Sequence, residues 1–469
     1  RPEQNQFQGK FTDQLIYSRV RMILSNGPPT QYFSALSAGL TVLAVGCTTG
    51  WTTVTLKKLR QPNSIIPITA AEGSWIASFH ELGHILSPIP TGYIMGKIGP
   101  KLCMVAASII ICIGWLLIYF TRSVVMLYCI RFLFGISMGI TFTVAPVYIA
   151  EISSPDVRGA LSTGFETMLY LGHVFEFVIG PMVSYEMLAM ISITAPALFL
   201  IFALWMRESP YYLMKTNQYE KAGETVSSLG GINSLAEVEE ELEKIKENLA
   251  MRTRGSLGDL LLSAVNRRCL MIVLMLAIFQ RLSGMSAVVA YAAFIFPSTL
   301  GGLSAAQYTI AFGIVTLVFT VVSAYLMDRS GRRILTIISC FGSFVVQFCT
   351  GLYFFLSATS PNNSLSWIPF VTISAYASLY AIGLGPIVTT IQGELFPPNV
   401  KGLSSSIVTI VHAGFGSLVT KTFQILTDSF GVYTSFWIYS ANCLLGTIFV
   451  YFMLPETKNK TLLEVQRSM

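Results

Sequence analysis

Residues 151–162, EISSPDVRGALS, and residues 394–405, ELFPPNVKGLSS, share one pattern: a Glu, a proline, a basic residue seven positions after the Glu, and then a Gly. Each copy lies between two long apolar runs, so the copies occupy matched boundaries. Two further pairs occur in the same order, GKIGPK at 96–101 with DRSGRR at 328–333, and RESP at 207–210 with PETK at 455–458. Three ordered pairs predict a chain made of two repeated halves.

The composition indicates a membrane protein. Of the 469 residues, 53% are hydrophobic and 12% are charged, and the mean hydropathy is +0.63. Soluble domains carry about 25% charged residues. Twelve segments reach the roughly 20 apolar residues that cross about 30 Å of hydrocarbon. They lie at 33–56, 74–95, 102–121, 124–150, 159–182, 187–206, 269–297, 304–327, 334–356, 368–396, 403–427 and 431–454. We therefore predict an all-α membrane protein with twelve transmembrane helices in two six-helix halves.

This interpretation divides the chain into an N-terminal segment, a six-helix half, a helical linker, a second six-helix half and a tail. The predicted boundaries are 1–32, 33–206, 207–268, 269–454 and 455–469. Basic residues gather in the loops of one face, at Lys97, Lys101, Arg158, Arg329, Arg332, Arg333, Lys401 and within 207–268. The positive-inside rule makes that face cytoplasmic and predicts two cytoplasmic termini. Lys57, Lys58 and Arg60 fall on the opposite side and count against this orientation.

Several functional classes lack the residues that they need. We find no phosphate-binding glycine loop, no nucleophile elbow and no metal-ligand cluster, so the sequence predicts no enzyme, no cofactor and no metal site. The formal charge of +6 is spread over alternate loops rather than gathered in one stripe, which argues against a nucleic-acid partner. The sequon Asn362-Asn363-Ser364 lies in a predicted loop on the side opposite the basic loops, which predicts glycosylation of Asn362.

Histidine and glutamate residues fall inside predicted spans, at His80, Glu81, His84, Glu166, His173, Glu176 and His412. Insertion of Asp, Lys or Arg into a membrane costs roughly 2.5–3.5 kcal/mol, so intramembrane ionisable groups usually face a partner or a wet cavity. One interpretation pairs His80 or His84 with Glu81 or Glu176 in a buried contact without function. The other places these groups along a substrate path, and the sequence leaves both open.

Together the motifs resemble a known family. DRSGRR, the repeated Glu-x6-basic-Gly pattern, RESP, PETK and QRLSG at 280–284 are similar to those of the sugar porter family of the major facilitator superfamily, over essentially the whole chain. QRLSG, GELFPPNVKG and VTKTFQ look most like the insect facilitated trehalose transporters. The resemblance implies the major facilitator fold and a carrier of a sugar such as trehalose or a hexose, active as a monomer in the plasma-membrane bilayer. Thr48 stands where proton-coupled relatives carry an Asp, which favours facilitative transport.

The resemblance also implies a charged latch at the cytoplasmic face. Such a latch closes in one state and opens in the other, so that the carrier has two discrete arrangements. Its residues would be Arg131, Glu151, Arg158, Glu208, Asp328, Arg329, Arg332, Arg333, Glu394, Lys401 and Glu456. Gly96 stands where the family places an acid, and Asp328 keeps that acid in the second half.

At most of the family's sugar-contact positions, this chain carries a side chain that differs chemically from the family's residue. They map onto Glu166, Gln280, Arg281, Ser286, Tyr291, Thr389 and His412. Gln280 retains a family amide, and Tyr291 retains the place of a gating tyrosine. Amides suit neutral hydroxyls because each offers a donor and an acceptor, whereas an acid or a guanidinium offers only one of these. We expect Glu166 and Arg281 to form a charge pair across the halves, tuned near neutral pH by His412.

Two other functions remain open from the sequence. A protein with these changes is also compatible with a sugar sensor or paralogue that does not transport. It is equally compatible with a carrier whose solute is charged or moves together with a proton.

Overall fold

The computed structural model describes residues 27–153, 155–231, 234–251, 257–296, 299–300, 303–359, 365 and 367–458. The predicted glycosylation site Asn362 and the side chains of Arg158 and Asp328 lie outside the described residues. Within the described part, each predicted span corresponds to one helix or to two consecutive helices.

The described residues of the first half form eight helices. They are α1 (Gly27–Leu59), α2 (Ala70–Leu86), α3 (Pro88–Ile98), α4 (Pro100–Phe120), α5 (Val124–Ile152), α6 (Pro155–Ile179), α7 (Tyr185–Ser192) and α8 (Thr194–Phe202). The second predicted span corresponds to α2 and α3 because Pro88, which lacks a backbone N–H, restarts the helix after Ser87. The sixth predicted span corresponds to α7 and α8.

The part of the linker that the structure describes forms the helices α9 (Pro210–Lys215), α10 (Tyr219–Gly230), α11 (Leu235–Met251) and α12 (Leu257–Leu262). Helix α11 carries ion pairs on its exposed face, with Lys244 Nζ 2.9 Å from Glu240 Oε1. Its other face packs Val238, Leu242 and Ile245 into a small core with α9 and α10.

The second half contains α13 (Ala264–Leu282), α14 (Met285–Ile295), α15 (Ala305–Ser330), α16 (Arg332–Thr359), α17 (Ile368–Leu379), α18 (Gly385–Leu395), α19 (Pro398–Phe430) and α20 (Val432–Met453). Between α14 and α15 lie two strands of two residues each, β1 (Thr299–Leu300) and β2 (Leu303–Ser304), which pair in antiparallel orientation. The seventh span breaks at Gly284, whose φ of +92° is one that side chains rarely adopt. A π-helical turn, Tyr380–Leu384, interrupts the tenth span between α17 and α18.

Ten segments of the described chain are long and apolar enough to cross a membrane. They coincide with ten of the twelve predicted spans. The remaining two predicted spans correspond to the α2–α3 pair and to α6, which carry the intramembrane histidines and acids at 80–84 and 166–176. The polar residues thus lie on the helices that are least typical of a lipid-facing span.

The same three helix pairs form in each half. In the first half α1 packs on α6, α2 on α5, and α4 on α7 and α8. In the second half α13 packs on α19, α15 on α17, and α16 on α20. This correspondence follows the repeat that the motifs indicated.

The main contacts between the described parts of the two halves are those of α2 and α3 with α19, of α6 with α15, and of α1 with α14. Glycines bring α2 close to α5, because a Cβ on Gly83 or Gly135 would collide with the backbone of the other helix. Close approach of this kind is typical of small residues in membrane helices. It fixes the position of the polar segment His80–His84 against the centre of the molecule.

Candidate substrate-binding site

A cavity with about 910 Å³ of empty space, part of it open to solvent, lies between the two halves. Side chains of α1, α2, α5 and α6 line it from the first half, and those of α13, α14, the π-helical turn and α19 line it from the second. Five of the seven predicted sugar-contact residues line this cavity, namely Glu166, Gln280, Arg281, Ser286 and His412.

The other two predicted contact residues lie off the wall. Tyr291 is 1% exposed and stacks on Phe423 at 4.9 Å between ring centroids, beside the lining residue Thr420. Thr389 is exposed, and its hydroxyl donates to the carbonyl of Pro386 at 2.9 Å. In this arrangement of the halves, Thr389 is therefore not a wall residue.

Arg281 is held by side chains from three helices. Its Nη1 donates to Ser286 Oγ at 2.7 Å, across the break between α13 and α14. The same nitrogen lies 3.4 Å from Glu81 Oε1 of the first half. Its Nε donates to His412 Nδ1 at 3.2 Å. The guanidinium thus connects both halves at the cavity wall.

The ion pair of Arg281 differs from the predicted one. We expected Glu166 as its partner, but the structure pairs Arg281 with Glu81, which the sequence left without a role. Glu166 also lines the cavity, yet it makes no hydrogen bond or ion pair within the described part of the chain. Both acids were visible in the sequence as intramembrane charges, and only the packing of α2 against α19 selects between them.

The hydrogen bonds of His412 define its tautomer. Gln280 Nε2 donates to the carbonyls of Leu384 at 2.8 Å and Gly385 at 2.6 Å, so the amide oxygen points away from them. That oxygen lies 3.0 Å from His412 Nε2, which must donate to it, while Nδ1 accepts from Arg281. Only the neutral imidazole can do both. This arrangement disagrees with the expectation that His412 changes charge near neutral pH.

The remaining histidines have polar neighbours near the cavity. His80 Nε2 lies 3.3 Å from Thr48 Oγ1, and His173 Nε2 lies 2.5 Å from Thr49 Oγ1. His84 Nδ1 lies 3.6 Å from Glu81 Oε2, which agrees with the interpretation that pairs a histidine with this acid. Glu176 instead accepts from Ser192 Oγ on α7.

Arg131, predicted as part of the latch, lies at the cavity wall. It is 2% exposed, and its guanidinium donates to the backbone carbonyls of Thr48 and, at 3.2 Å, Ile76. Trp51 lies beneath it at 5.7 Å from the ring centroid. Arg131 therefore ties together the first, second and fourth spans.

The other described latch residues lie on the motif face, which we define as the face carrying residues 96–101, 151–159, 328–333 and 394–402. In the first half, Glu208 accepts from the backbone N–H groups of Lys101 at 3.2 Å and Ser209 at 2.9 Å, and Glu151 accepts from Ser209 Oγ at 2.6 Å. These contacts join the end of the fourth span to the start of the third.

In the second half, Glu456 accepts from the backbone N–H groups of Arg332 at 3.0 Å and Arg333 at 3.2 Å. Glu394 accepts from Thr457 Oγ1 at 2.5 Å and from Arg332 Nε at 3.0 Å. All of these contacts lie within one half. The predicted role of the cluster in closing the cavity between halves stays a prediction.

Lys401 and Arg329 also make contacts with backbone or with an aromatic ring. Lys401 Nζ donates to the carbonyl of Gly393 at 3.1 Å. The guanidinium of Arg329 lies 4.2 Å from the ring centroid of Tyr325.

On the opposite face, which carries residues 57–69 and 293–296, basic side chains join the halves. Lys57 Nζ donates to the carbonyl of Ala293 at 3.0 Å, and Arg60 Nη2 donates to Gln424 Oε1 at 2.7 Å. Lys421 Nζ reaches back to Ser74 Oγ at 2.8 Å. The halves therefore meet at this face.

The family model described as "Sugar (and other) transporter" matches residues 37–469. The chain belongs to this family. Among curated relatives, the facilitated trehalose transporter Tret1 of Drosophila erecta is 31% identical over 445 residues, which cover 94% of this chain and 52% of the relative. The facilitated trehalose transporter Tret1-2 homolog of Drosophila simulans is also 31% identical over 445 residues, and there the match covers 91% of the relative. The chain spans about half the length of the first of these relatives.

Solved structures confirm the predicted major facilitator fold. The partially occluded inward-open conformation of the xylose transporter XylE from E. coli superposes with a TM-score of 0.79 at 22% identity, covering 92% of this chain and 100% of that one. The proton:xylose symporter XylE bound to 6-bromo-6-deoxy-D-glucose gives a TM-score of 0.77 at 23% identity, covering 94% and 99%. The family that the motifs predicted and the major facilitator fold are therefore both confirmed.

Proposed function

We propose that the chain is a facilitative carrier that moves a sugar, either trehalose or a hexose, by alternating access between its two halves. The observation that supports this most is the central cavity, whose polar wall is supplied by both halves. A solute bound there contacts Thr49 and Tyr170 on one side and Ser286 and Tyr380 on the other. Rocking of the halves about such a site exposes the solute to each face in turn.

The relatives support the choice of solute. The curated relatives are named as trehalose transporters, and one of the solved structures contains a glucose derivative. Thr48 in place of an acid supports a facilitator, because its hydroxyl cannot release a proton at physiological pH.

The contacts of the opposite face support the orientation that the basic loops predict. Lys57, Lys58 and Arg60 counted against a cytoplasmic motif face, yet each donates to a backbone carbonyl or to Gln424. Because structural contacts account for these charges, we assign the motif face, the linker and both termini to the cytoplasm of a plasma-membrane protein. We also propose that a single chain, with the halves bounded as predicted, is the working unit. Epitope tags at either terminus should be reached by antibody only after permeabilisation.

Counterflow in proteoliposomes tests the transport function. Vesicles preloaded with unlabelled trehalose or with a hexose such as glucose should accumulate the matching labelled sugar transiently, with and without a proton uncoupler. Gln280→Leu should abolish this signal, because Gln280 holds both His412 and the backbone at 384–385. Asn248→Ala, on the exposed face of α11, is the matched control and should leave it unchanged.

The other two functions predict different results. A sensor would bind a sugar with no counterflow for any member of the panel. A proton-coupled carrier would lose net uptake when the uncoupler is present. Either result would replace the facilitative carrier as the proposed function.

A further inference from the structure

The wall of the cavity carries two guanidinium groups, Arg131 and Arg281, and two carboxyl groups, Glu81 and Glu166. When all four are ionised, their formal charges cancel. Arg131 is 2% exposed and donates to backbone carbonyls, so a solute has little access to it. Charge recognition of a solute therefore depends on Glu81, Glu166 and Arg281.

Arg281 already has a counter-ion from the protein. Glu81 of the first half neutralises it at 3.4 Å, while Ser286 and His412 occupy Nη1 and Nε. The pair lies against the backbone of α19 at Gly416, where a Cβ would be 3.1 Å from Glu81 Cδ and 3.3 Å from Arg281 Cζ. A glycine at this position thus leaves room for the ion pair, which fills the space between α2, α13 and α19.

Glu166 is in the opposite situation. It lines the same cavity, with no hydrogen bond or ion pair to any residue that the structure describes. An ionised carboxylate only accepts hydrogen bonds, so it favours hydroxyl or ammonium groups and repels anions. The amide of Gln280 is also committed, because both its nitrogen and its oxygen are bonded within the protein.

We propose that Glu81 is a built-in counter-ion that withholds Arg281 from the solute, so that the cavity accepts neutral sugars and amino sugars and rejects acidic sugars. This inference rests on the proposed function only in assuming that the solute enters this cavity. Glu166 presents the carboxylate that such solutes meet. Glu81 therefore sets the charge selectivity of the site through Arg281.

Removal of the counter-ion should change selectivity in a defined direction. In Glu81→Gln, Arg281 keeps its charge but loses the carboxylate, so glucuronate should bind about tenfold or more tightly than in the wild type. In Arg281→Gln the two acids remain, so the binding affinity for glucosamine relative to that for glucose should rise by a similar factor. The double variant Glu81→Gln/Arg281→Gln removes both charges and should again reject glucuronate.

Binding is measured on the purified full chain in detergent with glucose, glucosamine and glucuronate as probes, and uptake is measured in proteoliposomes with the same three solutes. Glu186→Gln, which breaks the exposed pair with Arg122 at 3.2 Å, is the control and should keep the wild-type ranking. The order of the binding affinities for the three solutes tests this inference independently of the proposed transport function. A correct ranking without uptake would contradict the carrier function alone.

Two results would overturn the inference. One is a wild-type chain that binds glucuronate as tightly as glucose. The other is a folded Glu81→Gln chain in which glucuronate binds no better than in the double variant. If Glu81→Gln does not fold, Glu166→Gln provides the test instead. This variant should lower the binding affinity for glucosamine about tenfold relative to that for glucose. An unchanged ratio in that variant would reject the inference as well.

Discussion

The motif faces of the two halves use the same geometry with different residues. Each half places a glycine with a φ near +87° before a helix, Gly99 before α4 and Gly331 before α16. In each half a carboxylate, Glu208 or Glu456, accepts from the backbone N–H groups at the start of that helix. The positive end of the helix dipole favours an anion at this position.

In the second half an ion pair is added to this geometry. Arg332 donates to Glu394 at 3.0 Å, whereas the first half has Pro100 at the equivalent place in GKIGPK. The proline suits the first turn of α4 because it needs no N–H partner there. The comparison teaches that the repeat preserves helix capping by a carboxylate, while the guanidinium is an addition to one half.

The largest expected effect comes from the two glycines. Gly99→Ala and Gly331→Ala should each destabilise the protein by about 2–4 kcal/mol, because this backbone region is strained for side chains and the new Cβ displaces the capping acid. That Cβ would lie 2.7 Å from an oxygen of Glu208 or Glu456. Thermal unfolding in detergent measures the loss, and Gly164→Ala, where a Cβ meets open space, is the control. If the two glycine variants lost unequal amounts of stability, the motif faces of the two halves would not be equivalent.

The capping acids should have a smaller effect. Glu208→Gln and Glu456→Gln should each cost about 1–2 kcal/mol, because the amide offers one acceptor oxygen in place of two to the backbone N–H groups at the start of the helix. Glu243→Gln on exposed α11 is the control and should leave the melting temperature unchanged. If only the second-half variant were destabilised, capping would not be the shared element.

Glu208 also predicts a pH dependence. Burial raises the pKa of Glu208 above its usual range, and the backbone N–H groups of Ser209 and Lys101 oppose this only in part. A carboxyl with a higher pKa in the folded protein stabilises it below the unfolded pKa, and this stability is lost as the pH rises through the folded value. As the pH rises through the mildly acidic range, the melting temperature of Glu208→Gln should therefore fall less than that of the wild type. Parallel pH profiles would contradict this.

The ion pair that distinguishes the halves should have the smallest effect. Arg332→Gln should cost about 1 kcal/mol, and the cost should shrink with added salt, because the pair is only partly buried. Pro100→Arg tests the converse by offering a guanidinium to Glu151 in the first half. A loss in Arg332→Gln that did not depend on salt would point to its bond with the carbonyl of Met327 instead.

Local sequence predicted much of the candidate site. The predicted contact residues Glu166, Gln280, Arg281, Ser286 and His412 all line the cavity. The motifs could not provide the partner of Arg281, because Glu81 lies 200 residues away in a helix of the other half. HELGH was visible as an unusual intramembrane segment, and that signal alone could have suggested Glu81.

The spans, the repeat and the family could be predicted from the amino-acid sequence, because they depend on apolar length, on local turns and on short motifs at matched boundaries. Tertiary structure decided which charges meet. Glycines at 83 and 135 bring α2 onto α5, and Gly416 leaves space beside α19 for Glu81 and Arg281. Glu166 faces the same cavity from another helix and remains without a partner among the described residues. The direction of each side chain follows from how the helices pack, and one helix alone does not contain that information.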